Sequence, residues 1–300
     1  MTSILLLDGG MGQELIKRSK APITPLWSSQ VMLNQAELVE ELHKDYINAG
    51  AQVITLNTYT ATPGRLKRDA DVSLLKPLHQ AAIGAAERAT RQSDNKNIRI
   101  AACLPPLMAS YIADAAPEYQ ECLEQYAQIV ELQNAAADLF ICETMSNIKE
   151  AQAAVTAAKP TGKEIWVSFV LDESKQTLRS GESLHSAIEA MQKLGVEALL
   201  LNCGSPETID RAMPELIKSF KCTGAYANFF TSVEALEAGG TVECLTERED
   251  MSALRYTRYG LQWAEAGARI LGGCCGVDPQ HIHDLHDALI KAGHEITYKI

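Results

Sequence analysis

Eight short, near-continuous apolar runs recur along the 300 residues at intervals close to one supersecondary unit, with amphipathic segments between them. They occupy residues 3–8, 52–57, 98–103, 138–142, 165–171, 198–202, 224–228 and 268–271. Runs of strand length that are apolar on both faces belong to parallel strands covered on each side, because an antiparallel sheet with one wet face would alternate instead. The intervening segments carry apolar residues at helical spacing. Leu38, Leu42 and Tyr46 form one stripe, Leu123, Ala127 and Val130 another, and Leu184, Ala187, Ile188 and Met191 a third. Ile209, Ala212, Met213, Leu216, Ile217 and Phe220 give the clearest stripe, and Asp278-Pro279 supplies an N-cap and first-turn pair for the last helix. Eight strand–helix units predict an α/β fold of the (β/α)8 TIM-barrel type. No composition shift or linker divides the chain, so residues 1–300 are expected to form a single domain. A doubly wound sheet would place a G-x-G-x-x-G turn after the first strand, and Asp8-Gly9-Gly10-Met11-Gly12 lacks that spacing.

Composition narrows the functional classes. With 46% hydrophobic and 22% charged residues the chain can bury a large core, and its net charge of −11 makes it a poor partner for nucleic acid or an anionic membrane. No apolar run approaches the roughly 20 residues a spanning helix needs, and the first residues offer no basic, then apolar, export signal. A soluble, cytoplasmic protein is expected, with its eight cysteines reduced. Cys103, Cys122, Cys142, Cys222 and Cys244 sit singly and read as structural thiols.

Connection lengths choose the working end of the barrel. Helix-to-strand links such as Ala49-Gly50-Ala51, Leu194-Gly195 and Ala266-Gly267 are near-minimal, whereas strand-to-helix segments 9–34, 58–71, 104–116 and 229–250 exceed ordinary loop length. Length at the C-terminal ends of the strands is where barrel enzymes build their sites. On that rim three cysteines converge, Cys203 after strand six and Cys274-Cys275 after strand eight, with Gly272, Gly273 and Gly276 around the pair. Three thiolates suit Zn²⁺ and leave a fourth tetrahedral position open, as a reactive site requires. Two other readings stay open: small residues filling a tight corner, and a vicinal redox pair. Asp8 and Glu143 end strands one and four. Asp8 could cap the glycine turn, but an inward carboxylate at Glu143 has less structural excuse. Two carboxylates beside thiolates, with Gly9 and Gly10 amides nearby, would suit a ligand that carries an ammonium, a carboxylate and a sulfur.

The motifs DGGMGQEL at 8–15, NTYTAT at 57–62, ET at 143–144, NCG at 202–204 and GGCCG at 272–276 resemble those of the homocysteine S-methyltransferase family, along essentially the whole chain. The resemblance implies a zinc-dependent barrel that moves a methyl group from a small donor onto the thiol of homocysteine, giving methionine. It implies Cys203, Cys274 and Cys275 as zinc ligands, Asp8 and Glu143 as holders of the homocysteine amino group, and Gly9-Gly10 beside its carboxylate. Thr58 falls in the strand-two motif, Asn228 matches a position near the metal in some members, and Trp27 falls where the betaine-dependent members place a donor-binding tryptophan. A loop tryptophan merely covering the barrel is the alternative for Trp27. One departure is Thr60, with Tyr59 before it, where the betaine-dependent enzyme has a donor-side tyrosine. Together with the chain stopping soon after the eighth helix, this favours S-methylmethionine or S-adenosylmethionine as donor over betaine or methylcobalamin. The implied partners are those small molecules alone, with another thiol or a selenol as alternative acceptor, and a non-catalytic zinc or redox-sensing barrel as the rival class.

Overall fold

Each apolar run forms a strand in the computed structural model, which describes residues 2–20 and 22–299. The strands are β1 (Ser3–Leu6), β2 (Val53–Thr55), β3 (Arg99–Leu104), β4 (Leu139–Met145), β5 (Glu164–Phe169), β6 (Ala198–Asn202), β7 (Thr223–Tyr226), β8 (Ile270–Leu271) and β9 (Glu295–Ile296). All pairings are parallel, in the order β2-β3-β4-β5-β6-β7-β8-β1-β9. A parallel bridge between Leu7 and Val53 closes β1 onto β2, so eight strands run round a (β/α)8 barrel. No described helix is long and apolar enough to cross a membrane.

The period-2 alternation of strand side chains divides the core in two. Leu5, Leu7, Val53, Ala101, Leu139, Ile141, Trp166, Leu200 and Ile270 point inward and fill the barrel. Their neighbours Ile4, Leu6, Ala102, Phe140, Val167, Leu199 and Leu271 point outward and bury the apolar faces of the helices. The expected stripes are those faces. Val39, Leu42, Tyr46 and Ile47 are buried in Ala36–Asn48, and Ile209, Ala212, Met213 and Leu216 in Pro206–Ser219. Gly195 and Gly267 end their helices in the left-handed region (φ +67° and +120°), which explains the short helix-to-strand links. Asp278 forms a capping box with His281.

Three features depart from the sequence reading. Segment 9–34 is not one loop: it holds the helices Met11–Ser19 and Ser28–Asn34, and Pro63–Asp69 lies within 58–71. These helices are too short for periodicity to separate them from loop. The ninth strand, β9, was also unforeseen. Its amides donate from Glu295 to the Thr2 carbonyl (3.2 Å) and from Thr297 to the Ile4 carbonyl (2.9 Å). Thr2 and Ile4 share an edge with Leu6 and Asp8, which bond β2, so β9 covers the stretch of β1 below the closure. A two-residue strand carries no pattern of its own.

Gly224 in β7 shows how tightly the wall is packed. A Cβ there would lie 2.3 Å from the Ile270 carbonyl oxygen and 2.9 Å from Leu200 Cδ2. Backbone cannot yield as a side chain can, so Gly224→Ala is expected to destabilise the chain by about 1–3 kcal/mol, read as a lowered urea midpoint.

Candidate active site

Above the apolar interior, the inward positions turn polar. Thr55, Cys103, Glu143, Ser168 and Asn202 continue the inward parity of Val53, Ala101, Ile141, Trp166 and Leu200. Of these, Thr55 and Glu143 line a pocket at the C-terminal ends of the strands, walled by Gly9, Trp27, Tyr59, Tyr111 and the three rim cysteines. The long connections supply the upper wall, as connection lengths predict.

The cysteines come together. The sulfurs of Cys203, Cys274 and Cys275 all lie within 4.8 Å of one another. Cys203 and Cys274 are paired as a disulfide with Cα atoms 5.6 Å apart, and Cys275 Sγ lies 4.0 Å from Cys203 Sγ. The close pair is thus Cys203 with Cys274 rather than the vicinal 274–275 pair, and Cys275 also approaches Cys203. A tetrahedral metal with Zn–S bonds near 2.3 Å requires sulfurs roughly 3.8 Å apart. Once reduced, the cluster fits such an ion by donor type and spacing, and no fourth His, Cys, Asp or Glu among the described residues belongs to the group.

Backbone geometry produces this convergence. Cys203 has φ +53°, which breaks the strand direction after Asn202 and swings the thiol over the rim. The Asn228 side chain donates to the Cys203 carbonyl (2.7 Å) and accepts from the Phe230 amide (3.3 Å), holding the turned backbone. Gly276 takes φ +85° after the vicinal pair. Gly273 serves by lacking a Cβ, since one would lie 2.1 Å from Val277 Cγ1. Tyr111, itself at φ +66°, donates its hydroxyl to Cys203 Sγ (3.1 Å).

The carboxylates face the same cavity. Asp8 accepts from the Thr55 amide (2.7 Å) and hydroxyl (3.2 Å), so it reaches across to β2 and does not cap the glycine turn. Glu143 accepts from the Cys103 thiol (2.9 Å). It lies at a bulge, where Cys142 pairs with Val167 but Met145 pairs with Phe169, and Thr144 takes φ +57°. Burial raises both carboxyls to about 7, and Glu143 adds a repulsive contribution at Asp8. Two acids poised in this way want a cation between them.

The remaining expected residues are placed unevenly. Gly9 and Gly10 line the pocket, but the Gly10 amide already donates to the Val277 carbonyl (2.7 Å). Trp27 stands in the wall with Nε1 on Glu243 (2.9 Å) and its ring against Gly12. Two side chains are redirected. Thr58 is buried below the wall, accepting from Gln133 (3.3 Å), while its neighbours Asn57 and Tyr59 line the cavity. Asn228 is fully buried and occupied with the Cys203 backbone. Arg65 and Tyr111 lie outside the motifs, whereas Tyr59 falls within NTYTAT and Asn202 opens NCG.

The raised acid has a consequence for stability. A carboxyl whose folded pKa exceeds its unfolded one stabilises the fold while protonated, below the unfolded value, and that contribution is lost as pH rises through the folded value. With Glu143 at about 7, the wild type should lose melting temperature relative to Glu143→Gln between about pH 5 and pH 8 in the substrate-free protein. A difference constant across that range would show that burial does not perturb Glu143.

The homocysteine S-methyltransferase family model matches residues 5–289. The homocysteine S-methyltransferase of Escherichia coli K12 is 31% identical over 297 residues, 93% of each chain. A selenocysteine Se-methyltransferase of Brassica oleracea is 26% identical, over 95% of this chain and 89% of its own. The crystal structure of the E. coli homocysteine methyltransferase MmuM in its metallated form superposes with a TM-score of 0.79 at 28% identity, covering 95% of this chain and 96% of that one. Its oxidised form gives the same score at 29% identity, with 95% of each chain covered. Matching motifs, a matched family model over nearly the full length and a shared barrel carrying three rim cysteines lead to one conclusion: the chain belongs to the homocysteine S-methyltransferase family.

Proposed function

We propose that residues 1–300 act as one homocysteine-binding barrel that transfers a methyl group from a small sulfonium donor to the homocysteine thiol, giving methionine. The observation that carries this reading is the triad of Cys203, Cys274 and Cys275 sulfurs in the same cavity as Asp8 and Glu143. In this reading the reduced thiolates hold Zn²⁺. A free thiol is mostly protonated at neutral pH, and the ion, when bound, lowers the pKa of the acceptor thiol so that it reacts as thiolate.

The chain's own groups do the rest. Asp8 and Glu143 receive the homocysteine ammonium, and the new positive charge favours their ionised forms over the raised values of the empty site. The Gly9 amide, which donates to no group among the described residues, is available to the acceptor's carboxylate. Holding the amino acid at that end aims its sulfur toward the cysteine triad. Attack then forms the new carbon–sulfur bond as the donor's breaks in line, with the bonding pair going to the departing sulfur. The donor leaves as a neutral thioether, so no acid has to protonate it, and alignment of sulfur and methyl is the main demand. Asn228 acts on this site through the Cys203 backbone, and Thr58 through the Gln133 support of its own segment.

Trp27, Tyr59 and Tyr111 surround the upper cavity, and aromatic faces stabilise a cation by roughly 0.5–2 kcal/mol each. That supports S-methylmethionine or S-adenosylmethionine over an uncharged donor. Thr60 is not available as a donor contact through its hydroxyl, which is engaged with the Leu26 carbonyl and Ser29 (both 2.7 Å). A cytoplasmic setting is part of this proposal; no described helix is long and apolar enough to cross a membrane.

Two measurements test the reading. The reduced protein is expected to carry one zinc per chain, and Cys203→Ser, Cys274→Ser or Cys275→Ser should each remove most metal and nearly all methyl transfer while the barrel still folds. Full zinc occupancy in any of the three variants would overturn the ligand assignment. A donor panel with homocysteine should give methionine from S-methylmethionine or S-adenosylmethionine and little from betaine. Trp27→Ala should raise the donor KM by about tenfold while leaving the homocysteine KM nearly unchanged.

A further inference from the structure

One buried cation in the pocket makes no direct ion pair. Arg65 lies in the helix Pro63–Asp69 and is only 7% exposed, yet it lines the cavity. Its Nε and Nη2 donate to the Pro106 carbonyl (3.2 and 3.1 Å), and Nη2 also to Ser110 Oγ (3.3 Å). Nη1 has no hydrogen-bond partner, and no carboxylate forms an ion pair with this guanidinium, among the described residues. The neighbouring Arg68 differs: it is paired with Asp69 and donates to the Met108 carbonyl. Glu150 and Asp69 attract it only through space, without a hydrogen-bonded pair. A buried cation without a contacting anion is costly, and a chain that keeps one beside a cavity gains when a ligand brings that anion.

The surroundings say where that ligand charge would sit. The guanidinium carbon lies 5.4 Å from the centre of the Tyr59 ring, and the Tyr59 hydroxyl contacts Ser110 Oγ (2.9 Å). Ser110 thus touches Arg65, while the next residue, Tyr111, reaches Cys203 Sγ. Two consecutive residues, with Cα atoms about 3.8 Å apart, link the cation to the cysteine triad. Tyr111 itself adopts φ +66°. Asp8 and Glu143, acids that a bound ammonium would ionise, line the same cavity. The pocket is polarised, with acids for an ammonium and a guanidinium for a carboxylate.

We propose that Arg65 is the carboxylate-binding group of the donor subsite, so that the donor is an amino-acid sulfonium whose carboxylate meets the guanidinium while its methyl faces the acceptor sulfur. This rests on the sulfonium-donor reading above. The other source of a carboxylate is homocysteine, and the experiment separates the two. Methyl transfer is measured in the zinc-loaded protein with whichever of S-methylmethionine and S-adenosylmethionine the wild type uses better, and with the carboxamide of the same donor. Zinc content and homocysteine KM are followed in parallel.

The wild type should favour the carboxylate donor over its carboxamide by about tenfold or more in KM, the scale of a charge-assisted pair. Arg65→Met should erase that preference with zinc content and homocysteine KM unchanged, and Arg65→Lys should restore part of it. The wild-type comparison needs no substitution, so it stands even if Arg65→Met fails to fold. Equal use of both donors by the wild type, equal losses on both in Arg65→Met, or a rise in homocysteine KM instead would overturn the proposal while leaving sulfonium methyl transfer intact. A wild type that takes methyl from neither sulfonium would overturn the donor reading and this proposal together.

Discussion

The barrel is closed at its weakest seam by a group that also faces the pocket. β1 and β2 share a single bridge at Leu7 and Val53, and the Asp8 amide donates to the Val53 carbonyl (3.0 Å). Beyond that point the main chain turns away into the glycine-rich segment. The Asp8 carboxylate then takes over the ladder, accepting the Thr55 amide that a backbone carbonyl would otherwise receive (2.7 Å). Pocket wall and barrel closure therefore depend on one side chain. The glycines that follow permit this crowding, since a Cβ at Gly9 would lie 2.4 Å from the Val277 carbonyl and one at Gly10 2.6 Å from that of Cys274. The cost is electrostatic: burial lifts Asp8 to about 7.

On the opposite wall, Asn202 holds two departures from regular strand geometry together. Its side-chain carbonyl accepts from the Thr144 amide (3.0 Å) and the Ser168 hydroxyl (2.8 Å), and its amide donates to Thr144 Oγ1 (2.8 Å). Thr144 is β-branched and left-handed, a conformation that costs of order 1–3 kcal/mol and persists only when neighbours over-determine it. Glu143 immediately precedes it, and Cys203, also left-handed, immediately follows Asn202. One amide thus fixes the bulge that presents Glu143 and borders the turn that presents Cys203, which ties the acidic and sulfur sides of the pocket to a common support.

Much of this arrangement was readable along the chain, and the boundary of legibility is physical. The barrel and its working rim follow from apolar runs and connection lengths, both local properties. Cys203, Cys274, Cys275, Asp8 and Glu143 stand at strand ends, where parity and termination place a side chain on the rim. Thr58 and Asn228 stand there too, yet point under the wall or into backbone, because past the last ladder bond the pleat no longer dictates direction. Arg65 lies in a helix too short to show a period and Tyr111 in an irregular connection, so no periodicity reports their orientation. Their relation, through Ser110, exists only after segments 58–71 and 104–116 fold against each other.

By itself, the sequence determined the parallel barrel, the end at which chemistry is built, and the residue types gathered there, because burial of strand faces and helix stripes repeats with periods the chain carries in one dimension. Only the tertiary structure decided which groups meet. Pairing of Cys203 with Cys274, transfer of Asp8 from turn to barrel seam, and an Arg65 held by the Pro106 carbonyl without a direct ion pair all involve residues from separate β/α units. Such meetings depend on backbone turns of single residues, at Tyr111, Thr144 and Cys203, that neither composition nor period encodes.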